Sequence, residues 1–209
     1  DKGDVQIIRF CDGAKAEVKE FSGDGVILDI NTSDYDISKG QGADVTIQQI
    51  ALSNESEIQL EKGSLHSDTV KLDTKAQLFA NNGTKAEIQK MTMDNGSRLD
   101  VGSYDDDDMV VKEAADVTVH QLDMKGNSTI AIENGQLNSD QITMDHSTID
   151  IAGVGTLIAN KMTLNNTKLS LSGIQNEVTT LALNADEDVQ PLDVTQDGVT
   201  VEVKDTLDM

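Results

Sequence analysis

ITMDHSTIDI (Ile142 to Ile151) and MTLNNTKLSL (Met162 to Leu171) follow one plan, twenty residues apart. Each reads apolar-x-apolar, a polar turn, then apolar-x-apolar. Alternation over so few residues marks a short strand with one face buried. The Asp, Asn, His and Ser between the triplets accept tight turns and positive φ. The same frame fits IALSNESEIQL (Ile50 to Leu60), VKLDTKAQLFA (Val70 to Ala80), MTMDNGSRLDV (Met91 to Val101) and LDMKGNSTIAI (Leu122 to Ile132). A glycine usually follows a few residues later, at Gly63, Gly83, Gly135, Gly155 and Gly173.

The first apolar residue after each polar turn defines a ladder: Ile8, Leu28, Ile58, Leu78, Leu99, Ile130, Ile149, Leu169 and Leu192, with steps of 20, 30, 20, 21, 31, 19, 20 and 23. Self-similarity at such a period is the signature of a repeat architecture. It predicts an all-β chain folded as a single-stranded parallel β-helix of about nine coils, one domain over residues 1–209, with 184–209 as the last coil and cap. Parallel crossovers are right-handed almost without exception, so the helix is expected to be right-handed. Stacking at about 4.8 Å per coil gives a rod roughly 40 Å long. An antiparallel sandwich also has many short strands, but it does not need equivalent residues at constant spacing.

The two long steps are built alike. LDINTSDYDISKGQG follows Leu28 and LDVGSYDDDDMVVKE follows Leu99, and each rejoins the frame through near-identical stretches, ADVTIQQIAL (Ala43 to Leu52) and ADVTVHQLDM (Ala115 to Met124). Ile58 maps onto Ile130 and Gly83 onto Gly155, 72 residues apart, so a unit of one long and two short coils occurs twice. The additional residues, near 31–42 and 102–114, should protrude at the same corner, three coils or about 14 Å apart. They hold the candidate binding residues Asp34, Tyr35 and Asp36 in one loop and Tyr104 and Asp106 in the other. A tyrosine beside carboxylates can stack on a sugar or anchor a protein partner; it can equally fold back over its own coil. Asp105, Asp107 and Asp108 are the candidate Ca²⁺ ligands, since adjacent carboxylates attract a hard cation. Met109 and Val110 break the EF-hand spacing, and the alternative is a solvated acidic loop.

Composition narrows the function classes. Thirty-eight acidic against 16 basic residues give a net charge of -22, which repels phosphate backbones and anionic membranes. The expected partners therefore include neither nucleic acid nor a membrane that this segment would enter; no apolar run approaches a membrane span. No signal peptide is visible, which is no argument for a cytoplasmic location. Aromatics are only 2%, so the core must be built from Val, Ile, Leu and Met. The single Cys11 excludes an internal disulfide. His66, His120 and His146 fall at different places in the repeat frame and are expected on different faces; His120 aligns with Gln48. Walker, HExxH, GxSxG and CxxC motifs are absent from the sequence, so no cofactor other than Ca²⁺ is expected. The N-x-S/T triplets at Asn31, Asn54, Asn82, Asn95, Asn127 and Asn165 read as turn chemistry.

GNSTIAIENGQLNSDQITMDHSTIDIAGVGTLIANKMTLNNTKLSLSG (Gly126 to Gly173) resembles, in repeat style, the passenger domains of bacterial autotransporter and related secreted adhesins. The resemblance extends from about Val45 to Leu183. It implies a secreted or cell-surface virulence protein, an adhesin or stalk without catalytic activity. Its partners would be a host or bacterial surface protein, a glycan, or another copy of itself. Two alternatives stand beside it. A pectate-lyase-like polysaccharide enzyme would need basic residues among carboxylates and aromatic platforms, and only Arg9 and Arg98 are arginines. A phage tail-fibre segment would be a trimer.

Overall fold

The computed structural model describes residues 6–31, 42–102, 113–171, 175–184, 192–194 and 201–208. These residues form strands and turns, with no helix among them. One nine-stranded sheet contains β1 (Gln6–Phe10), β3 (Val26–Ile30), β5 (Glu57–Glu61), β7 (Gln77–Asn81), β9 (Arg98–Val101), β11 (Thr129–Ile132), β13 (Thr148–Ile151), β15 (Lys168–Leu171) and β17 (Leu192–Val194), in that order. The second holds β2 (Lys15–Asp24), β4 (Asp44–Ser53), β6 (Ser64–Leu72), β8 (Lys85–Met93), β10 (Ala115–Met124), β12 (Gly135–Asp145), β14 (Thr156–Asn165), β16 (Gln175–Asn184) and β18 (Val201–Asp208), again in chain order. The chain thus alternates between sheets, and every strand pairs in parallel with the strand two before it. We call them the odd and even sheets, and one odd strand with the even strand that follows it a level.

The predicted ladder matches the pairing at every step. Ile8 pairs with Leu28, Leu28 with Ile58, Ile58 with Leu78, Leu78 with Leu99, Leu99 with Ile130, Ile130 with Ile149, Ile149 with Leu169 and Leu169 with Leu192. From Leu28 to Ile149 these residues are fully buried. Apolar residues of both sheets merge into a single core that includes residues from Leu28 to Leu181. Burying each Leu or Ile contributes about 1.5–3 kcal/mol. As expected, Val45, Ile47, Val117 and Val119 of the twin re-entry stretches point inward and are fully buried.

The even strands carry a second pattern. In β4, Val45 and Ile47 are buried, Gln48 and Gln49 are both exposed, and then Ile50 and Leu52 are buried. β6, β8 and β14 repeat this order. In a straight strand, residues three apart lie on opposite faces. For Ile47 and Ile50 both to face the core, the strand must bend between them. A buried hydroxyl supports the bend in two levels: Ser67 Oγ donates to the Thr69 carbonyl and Ser139 Oγ to the Gln141 carbonyl, both at 3.1 Å. These serines are 72 residues apart, so the internal duplication extends to the bend.

Two corners join the sheets. Where an even strand ends, a buried Ser or Thr directly precedes several of the next odd strands (Ser56, Ser97, Ser128, Ser147 and Thr167), while Gly25 precedes β3 and the buried Ala76 precedes β7. Ser56 Oγ donates to the Ser53 carbonyl at 2.5 Å and Ser128 Oγ to Lys125 at 2.6 Å, satisfying carbonyls that leave the ladder. The opposite corner takes small residues in register: Ala43, Gly63, Thr84, Ala115, Gly135 and Gly155. A Cβ at Gly155 would lie 2.4 Å from the Ile132 carbonyl oxygen. The mapping of Gly83 onto Gly155 is therefore off by one. Thr84 occupies the corner, its hydroxyl donating to Asn81 at 2.6 Å, and Gly83 sits in the preceding turn at φ +73. Coil lengths in the two halves differ by one residue, which a constant offset of 72 conceals.

Candidate functional site

Asp34, Tyr35, Asp36, Tyr104, Asp105, Asp106, Asp107 and Asp108 lie outside the described residues, as does the bulk of both expected loops. Their roots are described. One root leaves β3 after Ile30 and the other leaves β9 after Val101, on the same sheet and three levels apart. The backbone amides at the roots bond alike, Asn31 to the Phe10 carbonyl at 3.0 Å and Gly102 to Ala80 at 2.7 Å.

Each root strand carries a buried aspartate in its outward row. Asp29 and Asp100 are 3% and 2% exposed, although strand alternation turns them away from the core. The chain's only two arginines pair with them. Arg9 Nε donates to Asp29 Oδ2 at 2.7 Å, and Arg98 Nε reaches both oxygens of Asp100 at 2.8 and 2.6 Å. The Asp100 hydrogen bond is the main cause that raises the Arg98 pKa further above its usual value. Burial of an ionised carboxylate is costly unless it is paired and hydrogen-bonded. In both halves a positive charge thus sits beside the strand that leads into an acidic insertion. Asp29 Oδ1 and Asn31 Oδ1 are buried, with no hydrogen-bond partner among the described residues. The repeated Arg–Asp pair escaped the sequence reading because the two arginines sit differently. Arg9 is on the neighbouring strand, in register with Asp29, whereas Arg98 lies two residues before Asp100.

A second assembly lies on the outer face of the even sheet. His66 was expected on a different face from His120, and the structure corrects this. Relative to the small-residue corner, His66 is three residues beyond Gly63 and His120 five beyond Ala115, both odd offsets. Period-two alternation puts both outside on the same sheet. Glu87 stands between them, with Oε2 3.6 Å from His66 Nδ1 and Oε1 3.7 Å from His120 Nε2. The row continues both ways: His66 Nε2 is 4.0 Å from Asp44 Oδ1, His120 Nδ1 is 2.7 Å from Asp140 Oδ2, and Asn160 donates to Asp140 Oδ1 at 3.0 Å. Acid and histidine alternate across β4, β6, β8, β10 and β12. The Asp140 hydrogen bond is the largest cause of a raised His120 pKa. His146 lies apart, in a turn at φ 48, against Asp145.

Next to this row are two adjoining grooves of about 240 and 290 Å³ that share Thr46 and Gln48. His66, Asp68, Glu87 and Gln89 line one, and Glu17 and Lys19 the other. The face offers closely spaced amides, hydroxyls and carboxylates, suited to hydrogen-bonding an extended polar ligand. Among the described residues, no group of three or more His, Cys, Asp or Glu is placed to hold a metal ion. Cys11 is half-buried and in no disulfide; desolvation first, and Asp12 second, raise its pKa, which disfavours the nucleophilic thiolate. No family model, curated protein or solved structure matches this chain.

Proposed function

We propose that the chain is a right-handed parallel β-solenoid that serves as a non-catalytic stalk or adhesin segment, secreted or at a bacterial surface. One observation supports the solenoid: alternate strands of one chain pair in parallel at all nine levels, and their apolar residues from Leu28 to Leu181 form a single core. Handedness follows from the rule for parallel crossovers. A scaffold of this kind holds surface groups at fixed spacing, and here the outside is acidic and polar along its length. That supports attachment to a glycan or a surface protein, or association with further copies, as the resemblance to secreted adhesins implies. The loops near 31–42 and 102–114 and the acid–histidine face are the surfaces proposed for contact.

A glycan array run alongside a lyase and hydrolase screen tests the reading. Retention of the chain on one glycan class, weakened by Glu87→Gln and His120→Gln, supports it. Turnover of any polysaccharide overturns it in favour of a carbohydrate-active enzyme.

A further inference from the structure

A third groove, of about 630 Å³, opens at the corner where even strands turn into odd ones. Its origin is a missing side chain. The second residues of the stacked turns are Glu55, Lys75, Gly96 and Asn127, all at positive φ. Their backbones follow one another level by level: Glu55 N donates to the Thr74 carbonyl, Lys75 N to Asn95 and Gly96 N to Gly126. Of these four, Gly96 alone has no side chain, so a gap opens between Lys75 and Asn127. A Cβ at Gly96 would meet nothing nearer than Lys75 Cγ at 3.9 Å, so the gap is open space. Gln77 of β7 and Arg98 of β9, in register with each other, extend it onto the outer face of the odd sheet.

The charge of this groove departs from that of the chain. The net charge is -22, yet no carboxylate lines the groove and two cations, Lys75 and Arg98, do. Neither is fully engaged by its present partner. Asp100 holds Arg98 through Nε alone, at 2.8 and 2.6 Å. The terminal N–H groups of the guanidinium have no hydrogen-bond partner among the described residues, and the side chain is exposed. Such a fork matches a carboxylate bidentately, and the buried Asp100 fixes its position. The Lys75–Glu55 pair is largely exposed on both sides at 3.6 Å, so it contributes little and leaves the ammonium able to turn to a ligand. The Gln77 and Asn127 carboxamides also have no hydrogen-bond partner among the described residues. A carboxamide both donates and accepts, which suits sugar hydroxyls. No apolar or aromatic side chain lines the groove, so it has nothing to anchor a hydrophobic group of a peptide.

We infer that this groove binds the carboxylate of an acidic glycan, with Arg98 gripping the carboxylate, Lys75 supplying a second positive charge, and Gln77 and Asn127 bonding ring hydroxyls. This names a ligand class for the glycan contact of the proposed function and rests on that reading. The surrounding negative charge opposes the approach of a long polyanion. A short uronate-bearing oligosaccharide is therefore the ligand the groove favours.

Isothermal titration of the 209-residue chain with trigalacturonate tests it, with the fully methyl-esterified trimer as a neutral ligand of the same backbone. The acid should bind, and the ester about tenfold more weakly or worse, because esterification removes the charge that Arg98 and Lys75 meet. Arg98→Lys keeps a positive charge near Asp100 but loses the fork, and should weaken binding about tenfold. Lys75→Gln should weaken it about fivefold. Gly96→Asn keeps both cations and tolerates the positive φ, but refills the gap and should weaken binding as well. Lys161→Gln makes the same charge change as Lys75→Gln on the outer face of the even sheet, and should bind like the wild type. Should Arg98→Lys fail to fold, Lys75→Gln and Gly96→Asn decide. No binding of the acid at about millimolar concentration, or equal binding of acid and ester, overturns the inference. So does binding that Lys75→Gln and Gly96→Asn leave unchanged. Each of these results leaves the non-catalytic adhesin reading in place, for the glycan array to judge. Cleavage of the trimer overturns that reading instead, while the affinities of the variants still decide the groove.

Discussion

At Asp100 the two members of an ion pair have unequal surroundings: the carboxylate side chain is 2% exposed and the Arg98 guanidinium side 46%. Their removal should therefore be unequal. Arg98→Met leaves a buried carboxylate without its counter-charge and is expected to cost about 2–3 kcal/mol in denaturant unfolding. Asp100→Asn leaves a guanidinium that water can reach, and should cost less. The double variant should cost less than the sum of the two, because the uncompensated charge is gone. Additive losses would show that the pair is not coupled. His120 makes a prediction of a different kind. Its folded pKa is raised, chiefly by the Asp140 hydrogen bond, so the protonated form is favoured in the folded state. That contribution is fully present below about pH 6.5, the unfolded value, and is lost as pH rises through the raised folded value. His120→Gln should flatten this part of the melting-temperature profile. An unchanged slope between pH 6 and 8 (roughly the histidine range) would mean that His120 and Asp140 do not interact in solution. Asp73 carries the opposite sign. The Asn95 hydrogen bond is the main cause of its lowered pKa, so its contribution is lost as pH falls through that lowered value.

At the element scale, the turns between even and odd strands decide how much local strain the chain carries. Asn54-Glu55, Thr74-Lys75, Asn95-Gly96 and Gly126-Asn127 each place two consecutive residues at positive φ, the mark of a type I′ turn. Closing bonds such as Ala76 N to the Asp73 carbonyl at 3.1 Å complete them. Asn and Gly suit such positions; Thr74, β-branched and at φ 46, does not. Replacing Thr74-Lys75 by Asn-Gly should stabilise the chain by about 0.5–1 kcal/mol. The ion pair of Lys75 with Glu55 at 3.6 Å is largely exposed, so its loss should offset little. A lowered melting temperature would show that the Thr74 hydroxyl bond to Asp73 outweighs the backbone strain. These turns explain what the sequence made legible. Asn, Gly and the apolar triplets repeat in one dimension, and the structure pairs them in that order, so the ladder from Ile8 to Leu192 could be read without coordinates. The bend at Gln48-Gln49 was harder to see, because a change of phase inside one strand resembles noise until register is known. The acid–histidine row was missed because its members come from five strands and share only the parity of their offset from a corner. The tyrosines and aspartates proposed for binding stand in the two stretches that interrupt the period, so the repeat frame assigns them no position.

At the scale of the whole molecule, the proposed solenoid makes stability quasi-one-dimensional, since among the described residues each strand pairs only with strands of the adjacent levels. The cost of a core truncation should then depend on how many neighbours the residue has, more than on its chemistry. Leu99 lies between Leu78 and Ile130 in its row and is fully buried. Truncating it to Ala removes contacts on both sides and leaves a cavity between two levels, at a cost of about 3 kcal/mol or more. Ile8 occupies the first step of the same row, has Leu28 on one side only, and is 44% exposed. Ile8→Ala should cost well under half as much, about 1 kcal/mol, because water already covers part of what is lost. The kinetics should divide along the same line. Hydrogen exchange in the Leu99 variant should quicken for β7, β9 and β11 together, while in the Ile8 variant it should quicken only near β1 and β3. Equal losses from the two substitutions, or global acceleration in both, would mean that the chain unfolds as one cooperative globule. The stacking of levels would then not be what sets its stability.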